Sequence, residues 1–312
     1  MVSSSGSSIE EAAPPTTASL LLRKRPVGLV STAMALGCSL LWAGQSVAVK
    51  VALGELPPFV VMGLRFVLAG VALGLFAFVM RMSLWIARPW VPWLLGHAVL
   101  LGIQTALFTL GTDATTSVKS IVIINSFPFF TALICHHFLP DFPFTWRTIV
   151  GLLIAFAGLL AVFAPGIWIS GIGNQRGDWL VLAAAVMMGV KITYIKAMLR
   201  RVQPIPVVFW TALIAAPLLL GIGWTRSELI DLVWTGRGVA AVAYSGLCVS
   251  SLAVVMWTYL LSWHSPNEVT VFRMTTPLLG MALGWLILSE PVSANLIVGA
   301  VLIALGVWRV TR

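Results

Sequence analysis

The sequence predicts an all-α integral membrane protein, with ten transmembrane helices arranged as two inverted five-helix repeats. Three observations predict it. Apolar stretches long enough to cross a bilayer recur along the chain, as at 29–49, 59–79, 149–163 and 296–307. Charge is scarce: 59% of the 312 residues are hydrophobic and 9% are charged, whereas about a quarter of a soluble domain is charged. Polar landmarks of the first half also return in the second at nearly constant offsets.

Taken in order, residues 1–27 are rich in Ser, Thr, Ala and Pro and end near Arg23-Lys24-Arg25, which predicts a disordered cytoplasmic tail. They do not read as a cleavable signal peptide, because the basic cluster comes late and the apolar run behind it is too long. Ten spans follow: 28–49, 57–79, 90–111, 115–139 and 147–164, then 178–198, 204–223, 237–260, 267–289 and 292–310. A helix rising ~1.5 Å per residue needs about 20 residues to cross ~30 Å of hydrocarbon. Solid apolar runs mark helices, since a barrel would alternate in hydrophobicity. The first repeat is expected at 28–164, a linker at 165–177 and the second repeat at 178–310. Short links require antiparallel packing.

The net charge of +9 does not form a nucleic-acid surface, because the 19 basic residues fall mostly in the links. With the N-terminus inside, eleven basic residues lie on the cytoplasmic side and four, Lys50, Arg176, Arg226 and Arg237, lie outside. That asymmetry predicts both termini in the cytoplasm. Cys38, Cys135 and Cys248 sit in apolar segments without metal or redox spacing and read as packing residues.

The halves keep register. Asn125-Ser126-Phe127-Pro128 and Met274-Thr275-Thr276-Pro277 each precede an apolar run closed by an acid, Asp141 or Glu290, at an offset of 149. Lys50 and Pro58 match Lys196 and Pro204 at an offset of 146, and Gly151 and Gly158 match Gly299 and Gly306. Five spans per copy, an odd number, force the copies to point in opposite directions. Inverted repeats of this kind build secondary transporters, with the substrate site near the midplane between them.

Leu41-Trp42-Ala43-Gly44, Leu64-Arg65-Phe66, and the stretch from Thr276-Pro277 through Gly284 to Glu290-Pro291 resemble EamA-type carriers of the drug/metabolite transporter superfamily. The resemblance covers residues 28–310. It implies ten helices in two inverted repeats and alternating-access transport of small metabolites, often export. The first repeat departs from the pattern at Leu139-Pro140-Asp141, where an acid more usually follows a Gly.

Ionisable groups inside a bilayer cost about 2.5–3.5 kcal/mol on insertion scales and need a reason to be there. Arg65 lies about 12 Å in from one side and Arg273 about 10 Å in from the other. Each can grip a carboxylate or phosphate in a forked geometry, or serve structurally, Arg273 by pairing with Glu268. Lys191, deeper from the outer side, can face the cavity or reach the inner interface with its stem. Lys119, shallower, can reach the cavity or snorkel to the interface. Gln45, Gln104, Asn125, Thr193, Tyr194 and Thr275 are candidate hydrogen-bonding groups, with Trp42 and Trp257 as walls; each can equally act as glue between helices. His97 is a candidate proton site, and His136 and His137 are expected beside the interface. Pro128, Pro217 and Pro277 are expected to kink their helices, and Gly70/Gly74 and Gly280/Gly284 to allow close packing.

No Asp or Glu lies deep in a span, so the cavity is expected to be net positive and to favour anionic or zwitterionic substrates. The expectation is a secondary transporter, an exporter of amino acids or organic anions in a bacterial inner membrane. It needs no cofactor or metal; its partners are the small-molecule substrate and the lipid bilayer, not nucleic acid. A sugar-phosphate or nucleotide-sugar carrier is the alternative within the superfamily. A membrane enzyme would want a nucleophile–base pair, metal cluster or carboxylate dyad. A channel would want a filter or a charged ring, and a receptor a soluble domain.

Overall fold

The computed structural model describes residues 28–138, 146–170, 175–199, 202–230, 232–263, 272–273 and 275–311. The tail 1–27, Asp141 and Glu268 lie outside them. The described chain is helical, with no β-strand among the described residues. The helices are α1 (Leu29–Leu53), α2 (Pro58–Val79), α3 (Val91–Asp113), α4 (Ser117–Ile124), α5 (Phe127–Phe138) and α6 (Trp146–Ser170). Then come α7 (Arg176–Leu199), α8 (Pro204–Thr225) and α9 (Gly236–Ala243), which runs through a π-helical stretch, Tyr244–Ala253, into α10 (Val254–Trp263). α11 (Thr276–Leu288) and α12 (Ala294–Thr311) complete the chain. Six of these stretches are long and apolar enough to cross a bilayer, and the shorter helices are apolar too. The protein is a multi-pass integral membrane protein.

α2 shows the pattern. Pro57 and Pro58 start it where a missing N–H costs nothing, and α8 starts in the same way at Pro204. Val67, Val71, Leu75 and Phe78 are 37–82% exposed, and their spacing of three or four lays them along one lipid-facing stripe. The opposite face buries Phe66 and Ala69 against Ala212, Ala215 and Ala216 of α8. Small residues let the two helices approach closely where lipid offers no hydrophobic drive.

Glycine serves the same purpose between α6 and α12. A Cβ on Gly158 would meet the Ile303 amide nitrogen at 2.7 Å and the Gly299 carbonyl at 2.8 Å, so the backbones touch. α6 continues to Ser170 and α7 begins at Arg176.

The helix pairings exchange when the halves are exchanged. α7 lies on α3 and α5 as α1 lies on α9–α10 and α11; α2 pairs with α8, and α6 with α12.

Two of the three predicted kinks are corrected. Pro128 and Pro277 do not bend continuous helices. Each sits at the second position of a helix, α5 or α11, that follows a break. Proline has no N–H to donate into a preceding turn, so the chain restarts there. The breaks are capped alike: Ser126 Oγ donates to the Ile123 carbonyl and Thr275 Oγ1 to the Phe272 carbonyl, both at 2.7 Å. Of the three, Pro217 lies inside a continuous helix.

Charged groups tie the helix ends together. Lys50 Nζ donates to the carbonyls of Thr112, Asp113 and Thr115 at 2.5–3.0 Å, closing the C-terminus of α3. Glu290 accepts from the Ser117 amide, the Ser117 hydroxyl and the Val118 amide at 2.8–2.9 Å, closing the N-terminus of α4. Cation at C-terminus and anion at N-terminus both suit the helix dipole.

Candidate functional site

The helices enclose a cavity of about 360 Å³, lined from α1–α5, α7, α8, the π stretch, α10, Arg273 and Thr276. The volume falls within the range of small-molecule sites. Apolar walls come from Leu101, Phe108, Ile121, Ile192 and Val208. Three cations face it, Arg65, Lys191 and Arg273, and among the described residues no Asp or Glu lines it.

Each cation is held differently. Arg65 reaches from α2 and donates through Nε to Ser250 Oγ at 2.8 Å. That acceptor is available because of the π stretch, in which the Ser250 hydroxyl donates to the Ser245 carbonyl five residues back, at 2.9 Å. Insertions of this kind re-aim side chains and recur at functional sites. Lys191 on α7 donates to Gln104 Oε1 of α3 at 2.8 Å. Arg273 sits in an aromatic box, its guanidinium carbon 4.2 Å from the Trp42 ring centre, 4.8 Å from Phe127 and 5.5 Å from Trp257. Trp42 and Trp257 meet edge to face at 5.3 Å. Rings of this kind hold a guanidinium by its face, which leaves its edge for a ligand.

Arg273 Nε is buried without a hydrogen-bond partner, and so are both amide atoms of Gln45, Ser46 Oγ and Thr276 Oγ1. All four residues line the cavity. Buried polar atoms are nearly always paired, so a cluster of orphans around one cavity marks a place for a polar ligand. Asn125, whose Nδ2 donates to the Ile121 carbonyl at 2.7 Å, also lines it.

His97 lines the cavity, and its Nδ1 lies 3.0 Å from Thr211 Oγ1. The Thr211 hydroxyl donates to the Val207 carbonyl at 2.6 Å, so it accepts from His97. The histidine therefore carries its proton on Nδ1.

Of the candidates read from the sequence, Trp42, Gln45, Arg65, Gln104, Asn125, Lys191, Trp257 and Arg273 are brought together here. Two are not. Lys119 is drawn off into an ion pair with Asp178 at 3.0 Å, and Asp178 is buried and also accepts from Thr115 Oγ1. Tyr194 packs against Trp93 and His97 beside the cavity, with ring centres at 5.2 and 6.5 Å. Ser46, Phe127, Ser250 and Thr276 line the cavity and were not singled out in the sequence. Ser46 follows Gln45 and Thr276 precedes Pro277, which are usable signals. Ser250 has none, because only the π register aims it. The expected Arg273–Glu268 pair and the side chains of His136 and His137 lie outside what the structure describes.

Comparison with known proteins places this geometry. The model of the EamA-like transporter family matches twice, at residues 30–164 and 175–312. An uncharacterized transporter, YoaV of Bacillus subtilis, is 27% identical over 88% of this chain and 94% of its own. A probable amino-acid metabolite efflux pump of Salmonella typhimurium is 26% identical over 88% of this chain and 92% of its own. A probable terminal-alkyne amino-acid exporter of Streptantibioticus cattleyicolor is 27% identical over 59% of this chain and 61% of its own. A solved structure shares the fold, with a TM-score of 0.67 at 20% identity over 90% of this chain and 98% of that one.

Proposed function

We propose that this chain, which belongs to the EamA-like transporter family and is a small-molecule transporter of the bilayer, exports small organic anions, amino acids among them, by alternating access. The cavity carries the reading: three cations, no carboxylate among the described lining residues, and orphaned hydrogen-bonding groups on four of its residues. Uncompensated charge in a low-dielectric site is costly, and an anionic group on the substrate relieves it.

Ten transmembrane helices as two inverted five-helix repeats provide the movement. The double family match, the exchanged helix pairings and the identically capped breaks at Ser126 and Thr275 support that architecture. Rocking one repeat against the other exposes a midplane site to each side in turn. Export is supported by relatives named as an efflux pump and an exporter. The excess of basic residues on one side supports both termini cytoplasmic, and relatives from bacteria support a bacterial inner membrane.

The test is uptake into proteoliposomes of radiolabelled amino acids, organic acids and sugar phosphates, for wild type and Arg273→Gln. The expected result is carboxylate transport that Arg273→Gln weakens at least about 30-fold, equivalent to about 2 kcal/mol of lost charge-assisted contact. Unchanged carboxylate transport by the variant overturns the reading. Transport confined to sugar phosphates favours a phosphate carrier instead, for which Lys191 and two arginines are also suited.

A further inference from the structure

We infer that the anion this cavity takes carries an uncharged hydrogen-bond donor beside its carboxylate: it is an α-hydroxy acid or an N-acylamino acid rather than a simple carboxylate or a free amino acid. The inference rests on the reading of the cavity as an anion site and deepens it.

The residue that carries it is Gln45, which is 7% exposed, lines the cavity and has neither amide atom paired. Its setting follows from α1. Trp42, Gln45 and Ser46 are spaced by three and four residues, which places them on one helix face. Trp42 holds the Arg273 guanidinium at 4.2 Å. α1 also packs against α11, whose first residue, Thr276, follows Arg273 by three. The four residues with orphaned atoms thus come from two neighbouring stretches of chain, Gln45-Ser46 on one and Arg273 with Thr276 on the other.

Arg273 Nε and the Gln45 amide nitrogen are donors, and the Ser46 and Thr276 hydroxyls can donate as well. A carboxylate, which only accepts, pairs with these. It leaves Gln45 Oε1 unanswered, because that atom too can only accept. Two other acceptors of the lining are already used, Gln104 Oε1 by Lys191 and Ser250 Oγ by Arg65, each at 2.8 Å. A ligand that brings a donor along with its carboxylate satisfies both kinds of orphan. That donor is uncharged. An ammonium would enter a cavity facing three cations, with no Asp or Glu among the described lining residues, and an unpaired charge there is costly. The rings that would attract an ammonium, those of Trp42, Phe127 and Trp257, already hold Arg273. A hydroxyl or an amide N–H supplies the donor without the charge.

Isothermal titration calorimetry of the purified wild-type protein with isocaproate, its α-hydroxy derivative and leucine tests the inference. The three share one carbon skeleton and differ at the α-carbon by hydrogen, hydroxyl and ammonium. The hydroxy acid is expected to bind at least about tenfold tighter than either of the others, the worth of pairing one buried acceptor. The α-methoxy derivative, which keeps the oxygen and loses the donor, should bind no tighter than isocaproate. In Gln45→Leu the advantage of the hydroxy acid over isocaproate should shrink to within about threefold. Isocaproate or leucine binding wild type as tightly as the hydroxy acid overturns the inference and leaves the anion site standing. Failure of wild type to bind any of them overturns both. An undiminished advantage in folded Gln45→Leu overturns the role of Gln45. The wild-type comparison needs no variant, so a misfolded variant cannot rescue the inference.

Discussion

Replacing Glu290 should melt the protein earlier, because its carboxylate is a structural anchor and not part of the transport chemistry. The carboxylate accepts from the amides of Ser117 and Val118 and from the Ser117 hydroxyl at 2.8–2.9 Å. Ser117 and Val118 are 0% exposed, so in Glu290→Ala neither amide can turn to water. A buried donor left unpaired costs about 1–3 kcal/mol, and the charge at a helix N-terminus contributes about 0.3–1 kcal/mol more. Glu290 itself is only half-buried, which admits some water and favours the lower end of the range. The expected loss is about 3 kcal/mol, or about 6 °C in Tm at roughly 2 °C per kcal/mol for a chain of this size. Glu290→Gln keeps one oxygen acceptor and should lose about half of that. Tryptophan fluorescence during a thermal ramp in detergent reads both, and the chain has 14 tryptophans to report. Both variants melting within about 1 °C of wild type would refute the anchor argument. Unchanged Tm with transport abolished would move Glu290 into the transport machinery.

Three further outcomes follow from the packing and the site. Gly158→Leu should prevent α6 and α12 from meeting, because its Cβ alone would sit 2.7 Å from the Ile303 nitrogen; monodisperse protein by size exclusion should be lost. Gly102→Ala, with nothing within 4 Å of the new Cβ, should match wild type or gain a few tenths of a kcal/mol from helix propensity. Trp42→Ala removes the ring nearest the Arg273 guanidinium and should raise the KM for carboxylates by about five- to thirtyfold, from a cation–π contact of roughly 1–2 kcal/mol. Trp42→Phe should recover most of this, and an unchanged KM in the alanine variant would mean the box does not position the arginine.

Much of the site was legible in the sequence because charge inside an apolar span is conspicuous. Arg65, Lys191 and Arg273 stood out on cost alone, and all three reach the cavity. The same argument left Lys119 open between the cavity and the interface, since depth along a helix does not say which neighbour a side chain meets. Asp178, at the start of α7, takes it. Pro128 and Pro277 were legible as disturbances but not in kind. Proline disfavours helix at the residue before it, and whether the chain kinks or breaks depends on local caps. Ser126 and Thr275 supply those caps by satisfying freed carbonyls.

By itself the sequence determined that the chain lives in a bilayer, that its helices come in two related sets, and which cations must find partners. Those are consequences of composition and spacing, because lipid penalises unpaired polar groups wherever they fall. Tertiary structure decided which groups pair with one another and which remain for a ligand. The aromatic box around Arg273 is assembled from α1, α5 and α10, and the acceptor for Arg65 comes from a π-helical register with no signature in residue order. A side chain's partner is set by the packing of helices far apart in sequence, and only the folded bundle brings Trp42, Phe127 and Trp257 around one guanidinium.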